Sequence, residues 1–173
     1  MMGKLGFGVA VLGLAIAWAV GIAQGAGAMP GTEAETLTGR RVVLAEAVRG
    51  HRTVVVMGFS REAGDGCTDL ARMLRKDPAL SGVPVYEAAM LAAAPGLIRE
   101  VIKGALRKNH SAGEQESFLV FARDEAAWRA WFGVGDDKAP YVALLDGSGK
   151  VLWRGHGEAG ELEKQLSANR FQG

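Results

Sequence analysis

The side chains best suited to chemistry are few. Cys67 is the single cysteine, and His51, His110 and His156 are the only histidines. A thiolate attacks electrophiles or binds metals, and an imidazole moves protons or ligates. A metal centre needs three or four converging ligands. One cysteine and three scattered histidines have no such spacing, so the histidines read as loop residues and no metal is expected. Gly64-Asp65-Gly66 lacks the third glycine and the downstream acid of a dinucleotide fingerprint, and neither G-x-x-x-x-G-K-[ST] nor G-x-S-x-G occurs. No cofactor is expected. Cys67 itself has two readings. It is either a small buried apolar residue in the first turn of a helix, or a single thiol activated by that helix's N-terminus and able to form a mixed disulfide with a partner.

The elements that position these residues follow from composition and pattern. The chain has 173 residues, about half of them hydrophobic, which suits one domain plus a leader. With 20 basic and 19 acidic residues it has no electrostatic footprint for nucleic acid. Lys4 is the only charge before Glu33, and Leu5 to Ala23 is apolar or glycine throughout. Ala26 and Ala28 fit a small-residue cleavage site, so residues 1–28 read as a signal peptide, or else as an N-terminal anchor. Either places the remainder outside the cytoplasm, in the periplasm or tethered to the membrane. A lone cysteine in an exported chain cannot close an internal disulfide, so stability must come from the core.

Residues 29–40 read as an extended linker and residues 41–173 as the domain. Arg41–Leu44 is a short strand. Thr53–Phe59 is a continuous apolar run of the kind buried on both faces in a parallel sheet. A glycine-rich loop, 60–66, leads to a helix at 67–76. Val83–Met90 is the next strand. Pro95 opens a helix to Lys108, with Leu97, Ile98, Val101, Ile102 and Ala105 as its apolar face. Asn109–Glu116 reads as a polar loop, and Phe118–Phe121 as a strand. Asp124 caps a helix at Glu125–Phe132, in which at least one of Trp128 and Trp131 belongs to the core. Tyr141–Leu145 and Lys150–Arg154 form a hairpin about Asp146-Gly147-Ser148-Gly149. Gly155-His156-Gly157 breaks the second strand before a last helix at Glu158–Ala168. The alternation gives an α/β fold with a mostly parallel sheet, helices on both faces and a C-terminal hairpin. Arg99, Lys103 and Arg107 form a basic stripe, either a solvated helix face or a contact for anionic lipid or an acidic partner.

This order resembles the thioredoxin-like superfamily. The run Val54–Phe59 into a loop and helix, and Ala139-Pro140 before a strand and hairpin ending at Gly157, look like that superfamily's active-site strand and cis-proline region. The added helix and strand at 95–122 look like the insertion of its peroxiredoxin and membrane-anchored thiol-reductase branches. The resemblance places Gly64-Asp65-Gly66-Cys67 at the C-x-x-C position, with Gly64 replacing the nucleophile. That implies a degenerate active site, because the two-electron C-x-x-C cycle needs both sulfurs. Thr68 and Arg61 are present, but no T-x-x-C pattern supports a peroxidase. Tyr141–Asp146, Gly149, Trp153 and Gly155–Ala159 also resemble the assembly-factor family for the membrane sector of mitochondrial ATP synthase, although Pro140 departs from that family's pattern. That resemblance implies a membrane-associated assembly role.

Two functions follow as expectations. One is a non-catalytic binding or assembly module of the cell envelope. It would dock a protein partner on the loop of Arg61, Glu62, Gly64, Asp65, Gly66 and Cys67 together with Ala139 and Pro140. The other is a single-cysteine redox protein using Cys67 with an external thiol.

Overall fold

The computed structural model describes residues 27–169, so the leader assigned to 1–28 lies almost wholly outside the described residues. Among the described residues no helix is long and apolar enough to cross a membrane. The chain folds around one seven-stranded sheet in the order β2-β1-β5-β4-β3-β6-β7. Its strands are β1 (Glu33–Thr36), β2 (Arg41–Val43), β3 (Thr53–Gly58), β4 (Val85–Met90), β5 (Phe118–Phe121), β6 (Tyr141–Leu145) and β7 (Val151–His156). The centre is parallel: β3 beside β4, and β4 beside β5. Both margins are antiparallel, through β6 and β7 on one side and β1 and β2 on the other. The expected α/β architecture and C-terminal hairpin are present, but the sheet is mixed and not mostly parallel, because β1 and β2 add a second antiparallel margin.

The segment read as a linker is partly sheet. Glu33–Thr36 pairs with both β2 and β5. Ala34 and Thr36 point inward while Glu33 faces solvent, an alternation too short and polar to register as a strand in the sequence.

The two sheet faces are covered differently. On one, α1 (Leu44–Ala47) and α5 (Glu125–Phe132) lie over Val55, Met57, Leu119 and Ala143. Trp128 and Trp131 are both buried there, with ring centroids 5.7 Å apart. Asp124 precedes α5 in a left-handed conformation, but its carboxylate accepts from Thr32 Oγ1 at 2.7 Å instead of capping the helix. On the other face, α2 (Glu62–Lys76) and α6 (Ala159–Asn169) cover Val54, Val56, Val142 and Leu144.

Two further helices follow β4. α3 (Gly96–Asn109) runs where a helix was expected, and α4 (Ala112–Ser117) forms where a loop was expected. A capping box explains α4: Ser111 Oγ accepts from the Glu114 N–H, and Glu114 accepts from the Ser111 N–H. The orientation of α3 reverses the expectation from its pattern. Leu97, Ile98 and Val101 are 78%, 48% and 66% exposed, whereas Lys103 is buried. Lys103 Nζ donates to Glu35 at 2.6 Å and to Glu100 at 2.9 Å. Burial opposes its charge, but the two carboxylates together hold its pKa above the ordinary value. Arg99 and Arg107 donate to backbone carbonyls of Leu91, Ala94 and Leu37. The basic stripe is therefore neither a solvated face nor a free lipid contact. It anchors α3 to the sheet, and the apolar side turns outward.

Candidate functional site

The loop expected at residues 60–66 is the start of α2. Ser60 Oγ, just before the N-cap residue Arg61, accepts from the Ala63 N–H at 3.2 Å and so satisfies one of the free amides of the helix start. Glu62 and Asp65 lie in the first turn, where carboxylates suit the helix dipole. Ala63 is buried against the sheet. These terms outweigh the cost of about 1 kcal/mol that each of Gly64 and Gly66 brings to a helix. Arg61, Glu62, Gly64, Asp65, Gly66 and Cys67 are thus not a flexible loop. Arg61 is the N-cap residue of α2, and Glu62 to Cys67 form the start of the helix.

The two glycines differ in surroundings. A Cβ on Gly64 would meet open space. A Cβ on Gly66 would lie 2.9 Å from Pro140 Cγ, so α2 and the Pro140 turn are in contact only because residue 66 has no side chain. Pro140 is buried, and Ala139 beside it is half-buried. The structure therefore does bring Gly66 and Pro140 together. Gly64→Ala should stabilise the domain by about 0.5–1 kcal/mol through helix propensity. Gly66→Ala should destabilise it by about 1–3 kcal/mol, because the proline ring cannot yield. Urea titrations of the two variants check this, and equal midpoints would remove the Gly66–Pro140 contact from the account.

Cys67 lies in the second turn of α2 and is 3% exposed. Its sulfur faces β3, where a Cβ on Gly58 would sit 3.1 Å from Sγ. Burial pushes the thiol far above its ordinary value, and the negative charge of Glu87 adds to the shift. This is the opposite of an activated nucleophile.

Beside Cys67, α2, β4 and α3 bound a groove of about 1020 Å³. Its floor carries a charged cluster that pattern reading missed. Glu87 is 1% exposed on β4 and accepts from Thr68 Oγ1 at 2.7 Å. Its other oxygen lies 3.5 Å from His110 Nε2 and 3.8 Å from Arg75 Nη1. Those three atoms are buried and have no hydrogen-bond partner. His110 is therefore not a loop histidine but a core one. Its Nδ1 lies 2.8 Å from the Leu106 carbonyl, which can only accept, so Nδ1 carries the hydrogen. Nε2 then meets the carboxylate favourably only when a proton lies between them. Glu87 raises the His110 pKa above the ordinary value, with burial opposing. Arg72 and Glu114 close the outer side at 2.8 Å, and that bond holds the Glu114 carboxyl down to about 2. Two ligands beside an arginine do not make a metal centre. The signal for Glu87 was a lone carboxylate inside the apolar strand Val85–Met90.

The other histidines lie elsewhere. His51 is exposed in a turn. His156 belongs to β7, where it pairs with Tyr141 and stacks on its ring at 5.1 Å. The strand does not break before it, and it stands next to Pro140.

No protein-family model matches the chain, and no curated protein does. Solved structures do match. A thiol:disulfide interchange protein from Bacteroides sp. superposes with a TM-score of 0.56 at 15% identity, over 86% of this chain and 90% of that one. A putative thiol:disulfide interchange protein DsbE from Chlorobium tepidum gives 0.55 at 18% identity, over 84% and 96%. Arabidopsis thaliana ScoI, solved with copper bound, gives 0.54 at 12% identity, over 82% and 97%. The fold is thioredoxin-like. In thioredoxin-like terms, α3, α4 and β5 are the inserted unit, and they supply one wall of the groove. No peptide bond among the described residues is cis, so the bond to Pro140, which the resemblance left open, is trans.

Proposed function

We propose that the chain is a non-catalytic thioredoxin-like module of the cell envelope that binds a protein partner at the groove beside the first half of α2. The observation that carries this reading is the state of Cys67. A sulfur 3% exposed, packed against Gly58 and pushed above its ordinary pKa by burial, is built as core. Gly64 stands where a C-x-x-C pair would hold its first sulfur, and a surface of Arg61, Asp65 and exposed α3 side chains remains beside it. The resemblance of Tyr141–Ala159 to an assembly-factor family, and the apolar run Leu5–Ala23, support an exported or membrane-tethered assembly role.

The alternative is a single-cysteine redox protein in which the Cys67 thiolate attacks the oxidised, disulfide form of an external thiol, breaking that S–S bond to form a mixed disulfide and releasing the other sulfur as a thiol. Cys67→Ser separates the two. Crosslinking and pull-down from envelope fractions should recover the same partner with Cys67→Ser as with the parent chain. A partner held only while Cys67 is present, and released by dithiothreitol, would establish the redox reading instead.

A further inference from the structure

α3 is fastened to the rest of the molecule in two different ways. Along its length, Arg99, Lys103 and Arg107 donate to carbonyls and carboxylates. Arginine and lysine stay charged from acid to mildly alkaline pH, so these ties do not titrate there. The C-terminal end is held through His110, the residue that ends α3 and leads into α4. His110 also lines the groove, at the foot of its α3 wall.

Several elements enclose the His110 ring. Leu106, one turn back in α3, places its carbonyl 2.8 Å from Nδ1. Glu87 on β4 places a carboxylate oxygen 3.5 Å from Nε2. Phe118 on β5 meets the ring edge-on at 4.8 Å. From α2 come Arg75, 3.8 Å from the same Glu87 oxygen, and Arg72, paired with Glu114 of α4. Arg75 Nη1 lies near that oxygen without bonding to it, so it offsets the charge of Glu87 but does not fasten the junction. The Cys67 thiol of α2 is kept neutral by burial and by Glu87. The His110 and Glu87 side chains are each only 2% exposed, so water does not replace either contact in place.

A neutral imidazole has one N–H and one lone pair. With the hydrogen on Nδ1, the Nε2 lone pair faces Glu87. With the hydrogen on Nε2, the Nδ1 lone pair faces the Leu106 carbonyl. Only the imidazolium turns a hydrogen toward both oxygens. The Glu87 contact ties the junction to the sheet, and the Leu106 contact closes the last turn of α3. Losing the proton therefore breaks one of the two fastenings.

We infer that His110 is a pH-sensitive clasp on the groove: protonated, it fastens the end of α3 to β4, and when the proton leaves, the α3–α4 junction loosens and that end of the groove opens. Glu87 raises the His110 pKa. The clasp is then closed below the ordinary histidine value of about 6.5 and loosens as pH rises through the higher folded one. That the opened groove is the one a partner meets rests on the binding-module reading; the clasp itself does not.

Hydrogen exchange of the full chain, read by mass spectrometry between about pH 5.5 and 8.5 with labelling times scaled to the intrinsic rate, tests the clasp. Peptides covering residues 106–117 should lose protection several-fold as pH rises. Urea well below the unfolding transition should speed exchange in the fully buried strands β3 and β6 but not at 106–117, because a local opening exposes little surface. His110→Gln, whose amide does not titrate, should remove the pH dependence at 106–117. If that variant does not fold, histidine-selective NMR of the parent chain takes its place, with His51→Asn and His156→Asn identifying the His110 signals. The imidazole should then titrate at the midpoint of the protection loss. Protection at 106–117 that is flat with pH, that responds to urea as β3 and β6 do, or that changes at a pH apart from the His110 titration overturns the clasp. So does a pH dependence that survives in His110→Gln. No partner enters these measurements, so failure of the clasp leaves the binding module standing. Loss of partner capture in Cys67→Ser strikes the module and leaves the clasp.

Discussion

Native protein should react with a thiol reagent such as Ellman's at least about a hundredfold more slowly than urea-unfolded protein near about pH 8. Only the thiolate attacks, and each pKa unit above the free value of about 8.5 removes a factor of ten of it. Burial raises Cys67 well beyond that value, and Glu87 raises it further. Packing against Gly58 adds a steric term. The reaction should therefore track unfolding: it should rise with urea along the same transition as circular dichroism. Rapid stoichiometric labelling in native buffer, with the melting curve unchanged, would put the sulfur at the surface and reopen the redox reading.

Glu87→Ala should cost about 3–5 kcal/mol, the usual penalty for removing one partner of a buried ionic cluster. Arg75 would keep its charge with only Glu114, 3.9 Å from Nη1, to offset it, His110 would lose the carboxylate that favours its proton, and Thr68 would lose its acceptor. The pH dependence carries a sharper signature. In the parent chain the His110 pKa is raised. Its contribution is then fully present below the unfolded value of about 6.5 and fades as pH rises through the folded value. Without Glu87 the imidazole is a buried base beside Arg75, so its pKa falls below the unfolded one. Stability then drops as pH falls below about 6.5. The slope of unfolding free energy between about pH 5.5 and 8.5 should change sign at this residue. Parallel slopes in parent and variant would show that His110 and Glu87 do not share a proton.

Much of the framework was legible because its segments are strongly patterned. Phe118–Phe121, Glu125–Phe132 and Tyr141–Leu145 fall where periodicity and turn residues put them. Other parts were obscured for identifiable reasons. Gly64 and Gly66 have poor helix propensity, and tertiary contacts at Ala63 and Pro140 overrule it. Ser111-x-x-Glu114 is a readable capping box, overshadowed by the polarity around it. Hydrophobic periodicity located α3 correctly but gave the wrong face, because the rule assumes that the apolar side is the one to bury. Here two carboxylates on Lys103 and three backbone carbonyls on Arg99 and Arg107 set the orientation. The groove was the least legible feature. Its floor joins Arg75, Glu87 and His110, which are distant in sequence and come from α2, β4 and the end of α3.

The reversed helix also bears on how sequences of this kind can drift. Lys103 is tied to the fold, its buried ammonium bonded to Glu35 and Glu100. Leu97, Ile98 and Val101 are not, because among the described residues their side chains stay exposed. In a lineage that no longer met a partner, mutation would carry those three positions toward polar residues without any loss of folding, while Lys103 stayed. Descendants that keep them apolar would be recording a selection that acts from outside the molecule.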